Sequence, residues 1–514
     1  MPGWKDIGNA SEYIRTDGFS PREYQFNIIN SIIDNGNTLV VLPTGLGKTL
    51  IGAAIIANAL SKGKKALLLA PTKPLAEQHY STLSSMLVIP KEKILLLVGS
   101  ISKSKRRENE QHADVIIATP QTVSNDLKEG SLTLNDFGAA IFDECHRAVG
   151  KYAYTYIANE CAVLDVLIVG LTASPGGKKE RIKALVDALN IKHIEARVSS
   201  DPDVKKYVMQ NNIHVIDVDK SERIIQISKL LTPGIEHSMT SLKKMGLMKF
   251  KSFERMPKGM LIQLGNDISK IEAQNYKFAA IFSYTRLLNL IHAYDLLMTE
   301  GIYPFSKYFD SLAAREKKSR SVETLLADAN IVNARKLADE ALKHGEEHPK
   351  VMALLDVIRL YKDKNAIVFA QYRSTVKMLV EYLRNNGFSA EPFVGKKDGI
   401  TQEMQKSTIN NFREKKFNVL VASSIGEEGL DIPNVDVVVF YEPIPNEIRD
   451  IQRRGRTGRF RTGEVYVLMT KGTKDEVYLY ISRQRERKML TLIKDINKKL
   501  NWQSNNKQWE QKKL

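Results

Sequence analysis

The chain has only two cysteines, Cys145 and Cys161, in 514 residues. Two thiols exclude a disulfide framework and a four-cysteine zinc site, and they fit a reducing compartment. Long apolar runs are also missing: the best candidate, Thr38 to Leu60, is broken by Pro43 and Lys48 and cannot serve as a membrane span. The opening residues Met1-Pro2-Gly3-Trp4-Lys5-Asp6 lack the basic stretch followed by an apolar one that marks a secretory signal, so an intracellular protein is expected. Acidic residues are in short supply, 59 against 76 basic ones, and the formal net charge is +17. Such an excess suits a polyanionic partner, either nucleic acid or an anionic membrane surface, and charge alone does not choose between them.

What is present is ordinary for a globular chain, with 43% hydrophobic and 26% charged residues. The length is enough for about two to four domains. From Asn37 to Ile194 short apolar strand signals alternate with helical stretches: Thr38 to Leu42, Lys65 to Ala70, Lys93 to Val98, Val115 to Ala118, Ala139 to Phe142 and Leu167 to Leu171. The alternation predicts an α/β lobe with a parallel sheet. A second such run has strands at Ala366 to Ala370, Asn418 to Ala422, Val435 to Phe440 and Gly463 to Leu468. Between them the periodicity becomes helical, as in Ile224, Ile227, Leu230 and Leu231, and then Leu287, Leu288 and Ile291. The expected domains are a first lobe over 1–203, an all-α basic insertion over 204–347, a second lobe over 348–496 and a polar tail over 497–514. Lys243, Lys244, Lys249 and Lys251 form one basic cluster of the insertion, which reads either as a solvated helix face or as a grip on phosphates.

Three motifs carry chemistry. After the first strand comes Pro43-Thr44-Gly45-Leu46-Gly47-Lys48-Thr49, then a helical stretch. Glycines at 45 and 47 let backbone N–H groups of this loop, Thr44 included, curl around phosphates, and the helix start adds its positive end. Lys48 would reach the β- and γ-phosphates of ATP, and the Thr49 hydroxyl would hold Mg²⁺. The first glycine of the usual pattern is replaced by Leu42, and taken alone the loop is also compatible with a structural turn. The strand Ala139 to Phe142 then delivers Asp143-Glu144-Cys145-His146 at its carboxyl end, where open α/β sheets bind ligands. Asp143 suits Mg²⁺, Glu144 suits orienting and deprotonating a water, and His146 suits relaying the ATP state to its neighbours. The third motif is Gln452 through Arg459, with four arginines in eight residues. Alone it is also compatible with a nucleic-acid patch. Paired with a phosphate loop, Arg456 and Arg459 become candidate arginine fingers, so that hydrolysis would require closure of the two lobes.

With these motifs in order the sequence resembles superfamily 2 helicases over most of its length. Arg22-Glu23-Tyr24-Gln25 looks like the adenine-reading motif, implicating Arg22 and Gln25. Pro71 through Gln78 and Thr119-Pro120-Gln121 resemble the motifs that hold the nucleic-acid backbone, implicating Thr72, Lys73, Gln78, Thr119, Pro120 and Gln121. Thr172-Ala173-Ser174 resembles the motif that couples hydrolysis to strand movement. The spelling of Leu42 to Thr49, Asp143 to His146, Phe393-Val394-Gly395, Gly399 to Gln402, Gly426 to Pro433 and Gln452 to Arg459 is similar to the archaeal Hef, FANCM and Mph group. That resemblance implies two RecA-like lobes with a helical insertion, Gly429 and Asp431 at the nucleotide site, catalytic Gln452, and Arg373 and Gln402 on nucleic acid. It also implies 3′-to-5′ movement on branched DNA such as forks and Holliday junctions, in fork repair and recombination, by a monomer or weak dimer in the nucleoid-associated cytoplasm of an archaeon. Glu486-Arg487-Lys488 matches part of a nuclease motif, but position 492 is Leu and the tripeptide reads as a charged helix. The expectation is therefore the helicase portion without a nuclease domain. Two rivals are an ATP-gated sensor of double-stranded RNA and a nucleic-acid scaffold with a decayed ATP site; intact Lys48, Asp143 and Glu144 argue against the second.

Overall fold

The computed structural model describes residues 11–17, 20–43, 45–99, 112–148, 150, 152–198, 201–207, 212–250, 252–254, 256–395, 400–423, 435–443, 463–481, 484, 488, 491–493, 495 and 496. The first lobe is built on β1 (Thr38–Val41), β2 (Lys65–Leu69), β3 (Ile94–Leu97), β4 (Val115–Ala118), β5 (Phe137–Phe142), β6 (Leu167–Thr172) and β7 (His193–Ala196). They lie in the order β3-β4-β2-β5-β6-β1-β7, and every pairing is parallel. After α1 (Glu23–Asn35), which precedes the first strand, the crossovers that parallel neighbours need carry α2 (Lys48–Ser61), α3 (Lys73–Met86), α4 (Pro120–Lys128), α5 (Ala153–Val163) and α6 (Lys179–Ala188). The strands are continuously apolar because both faces are covered. Val40, Leu68, Ile117, Ile141 and Val169 enter one core, and their neighbours Leu39, Leu67, Ile116, Ala140 and Ile168 enter the other.

The insertion comprises α7 (Glu222–Lys244), α8 (Lys258–Ser269), α9 (Gln274–Asp295), α10 (Ile302–Ala313), α11 (Arg320–Leu326) and α12 (Ala329–Lys343), with a π-helical turn at Leu296–Glu300. In α7 the buried residues Ile224, Ile227, Leu231, Ile235, Met239 and Leu242 recur every three or four positions and share a core with Leu287, Leu290 and Ile291 of α9. Ser221 caps α7, its hydroxyl accepting from the Ile224 N–H.

The second lobe carries α13 (Pro349–Leu360), α14 (Arg373–Asn385) and α15 (Gln402–Arg413) around a second all-parallel sheet. Its order is β10-β11-β9-β12-β13-β8, with β8 (Asn212–Val218), β9 (Ala366–Phe369), β10 (Ala390–Phe393), β11 (Val419–Ala422), β12 (Val437–Phe440) and β13 (Glu464–Thr470).

The sequence reading passed over the strands β7 and β10, and three placements differ from it. Residues past 203 do not start the insertion: Val204 is buried in the first-lobe core and Tyr207 packs on it. Strand β8 then belongs to the second sheet, pairing with β13 from Asn212↔Glu464 to Val218↔Thr470, so the helical part begins at Glu222. As an exposed edge strand, β8 carries polar Asn212, His214 and Asp217 among its apolar residues, which hid it beside the stronger helical periodicity that follows. Finally, Ile493 and Ile496 are buried in the first-lobe core that contains Leu185 and Leu189, although the sequence assigns their stretch to the second lobe. The chain therefore returns to its first lobe near the end of its described part.

A buried polar cluster pins the insertion to the second lobe. Lys350 Nζ, wholly buried, lies 2.5 Å from Asp475 Oδ2 and donates to the Thr299 carbonyl at 3.0 Å. The Thr375 hydroxyl donates to Glu300 Oε2 at 2.9 Å, and the Tyr441 hydroxyl to the Glu300 carbonyl at 2.9 Å. His348 Nδ1 accepts from the Lys350 N–H at 3.1 Å. That bond leaves the His348 proton on Nε2, which faces the Met298 carbonyl at 3.1 Å.

Candidate nucleotide and nucleic-acid site

Between β1 and α2 the backbone turns through Gly45 (φ 81°) and Gly47 (φ 73°), and α2 starts at Lys48. Position 47 requires glycine twice over: the backbone is left-handed, and a Cβ would collide with the Gln25 side-chain amide. That amide is a clasp. Gln25 Oε1 accepts from the Arg22 N–H at 2.8 Å, and Gln25 Nε2 donates to the Leu46 carbonyl at 3.0 Å. The Tyr24 hydroxyl donates to the same carbonyl at 2.8 Å. The Arg22 guanidinium lies 4.9 Å over the Tyr207 ring. Lys48 Nζ donates to the Leu42 carbonyl at 2.9 Å, so its charge sits on the loop that an incoming phosphate would occupy.

At the end of β5 the Asp143 N–H donates to the Leu69 carbonyl at 2.9 Å, which fixes the turn at the sheet's carboxyl edge. Glu144 follows with φ 47°, an unfavourable left-handed conformation for a residue with a Cβ. Asp143 Oδ2 lies 2.8 Å from His79 Nε2, and both side chains are buried. Burial pushes the Asp143 carboxyl up, but His79, Lys48 and the Glu144 N–H outweigh it and hold the group below the ordinary carboxylate value, hence ionised. Tyr154, buried, donates to the Asp143 carbonyl at 2.7 Å.

Glu144 Oε2 is 3.3 Å from His146 Nδ1 yet is a buried oxygen without a hydrogen-bond partner. His146 Nδ1 is closer to the Thr172 hydroxyl, at 3.1 Å, and Thr172 Oγ1 also accepts from the Ser174 N–H at 3.1 Å. The donor set fits Mg²⁺ and a triphosphate. The Thr49 hydroxyl and the Asp143 carboxylate are hard oxygen ligands of the kind that hold Mg²⁺ jointly with phosphate oxygens, the glycine loop leaves room for backbone N–H groups, and the orphaned Glu144 oxygen suits a bound water.

Of the residues singled out for nucleic acid, Thr72, Lys73, Thr119, Pro120, Arg373 and Gln402 lie at helix starts. Thr72 is the N-cap residue of α3, but its hydroxyl is buried without a hydrogen-bond partner. Lys73 begins that helix, and Gln78 sits further along it. Thr119 precedes α4, which begins at Pro120, and its hydroxyl is 2.8 Å from that of Thr122; Gln121 is exposed. Arg373 begins α14 and donates to the Gly395 carbonyl at 2.8 Å. Gln402 begins α15, but its side chain lies outside the described residues. Lys243 and Lys244 are exposed in the last turn of α7, and Lys249 is exposed beyond it. Thr44, Lys251, Gly429, Asp431, Gln452, Arg456 and Arg459 also lie outside the described residues.

Sequence reasoning missed His79, Tyr154 and Tyr207. Only His79 left a trace, as a polar residue on the helix face that buries Ala76 and Leu83.

The model described as "Type III restriction enzyme, res subunit" matches residues 18–177, and that of the helicase conserved C-terminal domain matches 349–461. A Methanocaldococcus jannaschii protein described as an ATP-dependent RNA helicase is 36% identical, over 90% of this chain and 60% of its own. The Neurospora crassa ATP-dependent DNA helicase mph1 is 33% identical, over 92% of this chain and 43% of its own. The chain thus spans about half the length of these curated relatives. The crystal structure of the Pyrococcus furiosus Hef helicase domain superposes with a TM-score of 0.71 at 39% identity, over 91% of this chain and all of that one. The chain belongs to the Hef, FANCM and Mph group of superfamily 2 helicases.

Proposed function

We propose that the protein is an ATP-driven DNA helicase or translocase that moves 3′ to 5′ on branched DNA, forks and Holliday junctions, in fork repair and recombination. The observation that carries it is the close approach of Glu144, His146 and Thr172: Glu144 Oε2 lies 3.3 Å from His146 Nδ1, and His146 Nδ1 lies 3.1 Å from Thr172 Oγ1. A change at the phosphates has a physical route to the turn after β6 that needs no other element.

In this reading Lys48 would neutralise the β- and γ-phosphates, and Thr49 and Asp143 would hold Mg²⁺, which would supply charge stabilisation at the transferred phosphoryl group. Glu144 orients the attacking water and takes its proton. Gln452, Arg456 and Arg459 complete the site from the second lobe, and Arg22 and Gln25 read the base. Thr72, Lys73, Thr119 and Arg373 hold phosphates at helix starts, where orphan N–H groups face outward. The insertion's lysines grip duplex arms through phosphate contacts that are blind to sequence.

The relative from Methanocaldococcus jannaschii is named for RNA, which gives the rival of a double-stranded RNA helicase or sensor a specific footing. ATP-dependent unwinding of a fork, a Holliday junction, a linear DNA duplex and an RNA duplex of matched sequence separates the two. Faster unwinding of the branched DNAs is the expected result. Preference for the RNA duplex would overturn the DNA reading.

A further inference from the structure

We infer that His79 is a positioning residue that couples the grip of α3 on nucleic acid to the metal-binding carboxylate Asp143. This inference rests on the reading above, in which the start of α3 holds a phosphate.

Three features of one helix carry it. At its start, the Thr72 hydroxyl is a buried polar group without a partner, poised beside the orphan N–H groups of the first turn. Roughly two turns further on, about 10 Å along a rigid element, His79 Nε2 lies 2.8 Å from Asp143 Oδ2 with both groups buried. On the outward side Glu77 Oε2 accepts from Lys406 Nζ of the second lobe at 2.8 Å, and Glu77 Oε1 lies 3.8 Å from Lys73. Helix α3 therefore meets the nucleic-acid edge, the hydrolytic centre and the opposite lobe at once.

An axial shift or roll of α3 when a phosphate seats at its start moves His79 against a carboxylate oxygen. Asp143 is held at its backbone by the bonds to Leu69 and Tyr154, so its side chain is what responds. The His79 bond fixes one carboxylate orientation. A displaced His79 selects another, and the geometry offered to the metal changes with it. Packed helices pass on such displacements because close-packed cores switch between discrete arrangements.

The test measures ATP hydrolysis with and without fork DNA, and fork affinity with a non-hydrolysable ATP analogue, for the wild type, His79→Leu and His79→Gln. Leucine keeps the volume and loses the bond; glutamine restores an N–H donor. For His79→Leu the stimulation by DNA should fall by about tenfold while fork affinity stays within about threefold, the size expected when coupling is lost and binding is kept. His79→Gln should recover most of the stimulation, and His79→Asn, whose amide is too short to reach Asp143 from the same backbone position, takes the place of the leucine variant if that one does not fold. An unchanged stimulation ratio in both variants would overturn the inference, as would a loss shared equally by the basal and stimulated rates. A wild type that no nucleic acid stimulates would instead overturn the functional reading on which it rests.

Discussion

Substitution of Lys350 by methionine should destabilise the second lobe far more than any surface change. The ammonium is wholly buried, bonded to Asp475 Oδ2 at 2.5 Å and to the Thr299 carbonyl at 3.0 Å. Methionine fills the volume and removes the charge, leaving Asp475 with the Thr470 N–H at 2.9 Å as its remaining backbone donor. Burial already pushes the Asp475 carboxyl upward and Lys350 pulls it back, so without the lysine the acid must either ionise unpaired or take up a proton. Breaking a buried pair at one partner costs about 3–5 kcal/mol, whereas removing both partners often costs little. Lys350→Met with Asp475→Asn should therefore be more stable than Lys350→Met alone. Urea unfolding followed by circular dichroism, with hydrogen exchange at β13 to assign the transition to the second lobe, provides the measurement. A single-variant loss below about 1 kcal/mol, the range of exposed pairs, would refute the reasoning.

Replacing Thr172 with valine removes the hydroxyl shared by His146 and Ser174, and should lower unwinding per ATP hydrolysed by several-fold while costing about 1–3 kcal/mol of stability, the range for orphaning buried polar groups. Equal losses of hydrolysis and unwinding would count against the relay. Burial, and then the Lys350 charge, depress His348 from 6.5 to about 3. A depressed base stabilises the fold above its unfolded value and loses that contribution as pH falls from about 6.5 toward 3, by up to roughly 5 kcal/mol. His348→Gln should flatten the acid limb of a stability-versus-pH curve, and an unchanged limb would contradict this. Neutralising Lys243, Lys244, Lys249 and Lys251 together should reduce the salt slope of fork binding by about 0.9 for each phosphate that these lysines neutralise in the wild type. An unaltered slope would remove the insertion from the binding surface.

The sheets were legible because strands buried on both faces must be apolar throughout, as in Leu67-Leu68-Leu69 and Ile116-Ile117, and few other structures ask for that at such short length. The turn through Gly45 and Gly47 before α2 and the placement of Asp143-Glu144 at the end of β5 were legible because a short apolar strand followed by glycines or by an acidic pair marks where the chain leaves the sheet. The edge strand β8 was not: half-exposed strands tolerate polar residues, and its neighbour β13 is about 250 residues away along the chain, as in the pairing of His214 with Tyr466. Nor was the return of Ile493 and Ile496 to the first lobe, since two apolar residues do not name the surface they cover. His79 was hidden for a third reason. Its partner Asp143 is 64 positions away, and only the fold brings the two to 2.8 Å.

The most direct test of an ATP-driven motor compares the wild type with Lys48→Ala in one fork-unwinding assay, with ATP hydrolysis read in parallel and fork affinity measured separately. Lys48 begins α2 at the end of the loop from β1, its Nζ 2.9 Å from the Leu42 carbonyl, and is not among the residues assigned to DNA. The variant should bind forks as the wild type does, hydrolyse ATP about a hundredfold more slowly or worse, and unwind nothing. Unwinding that survives in Lys48→Ala would contradict the account.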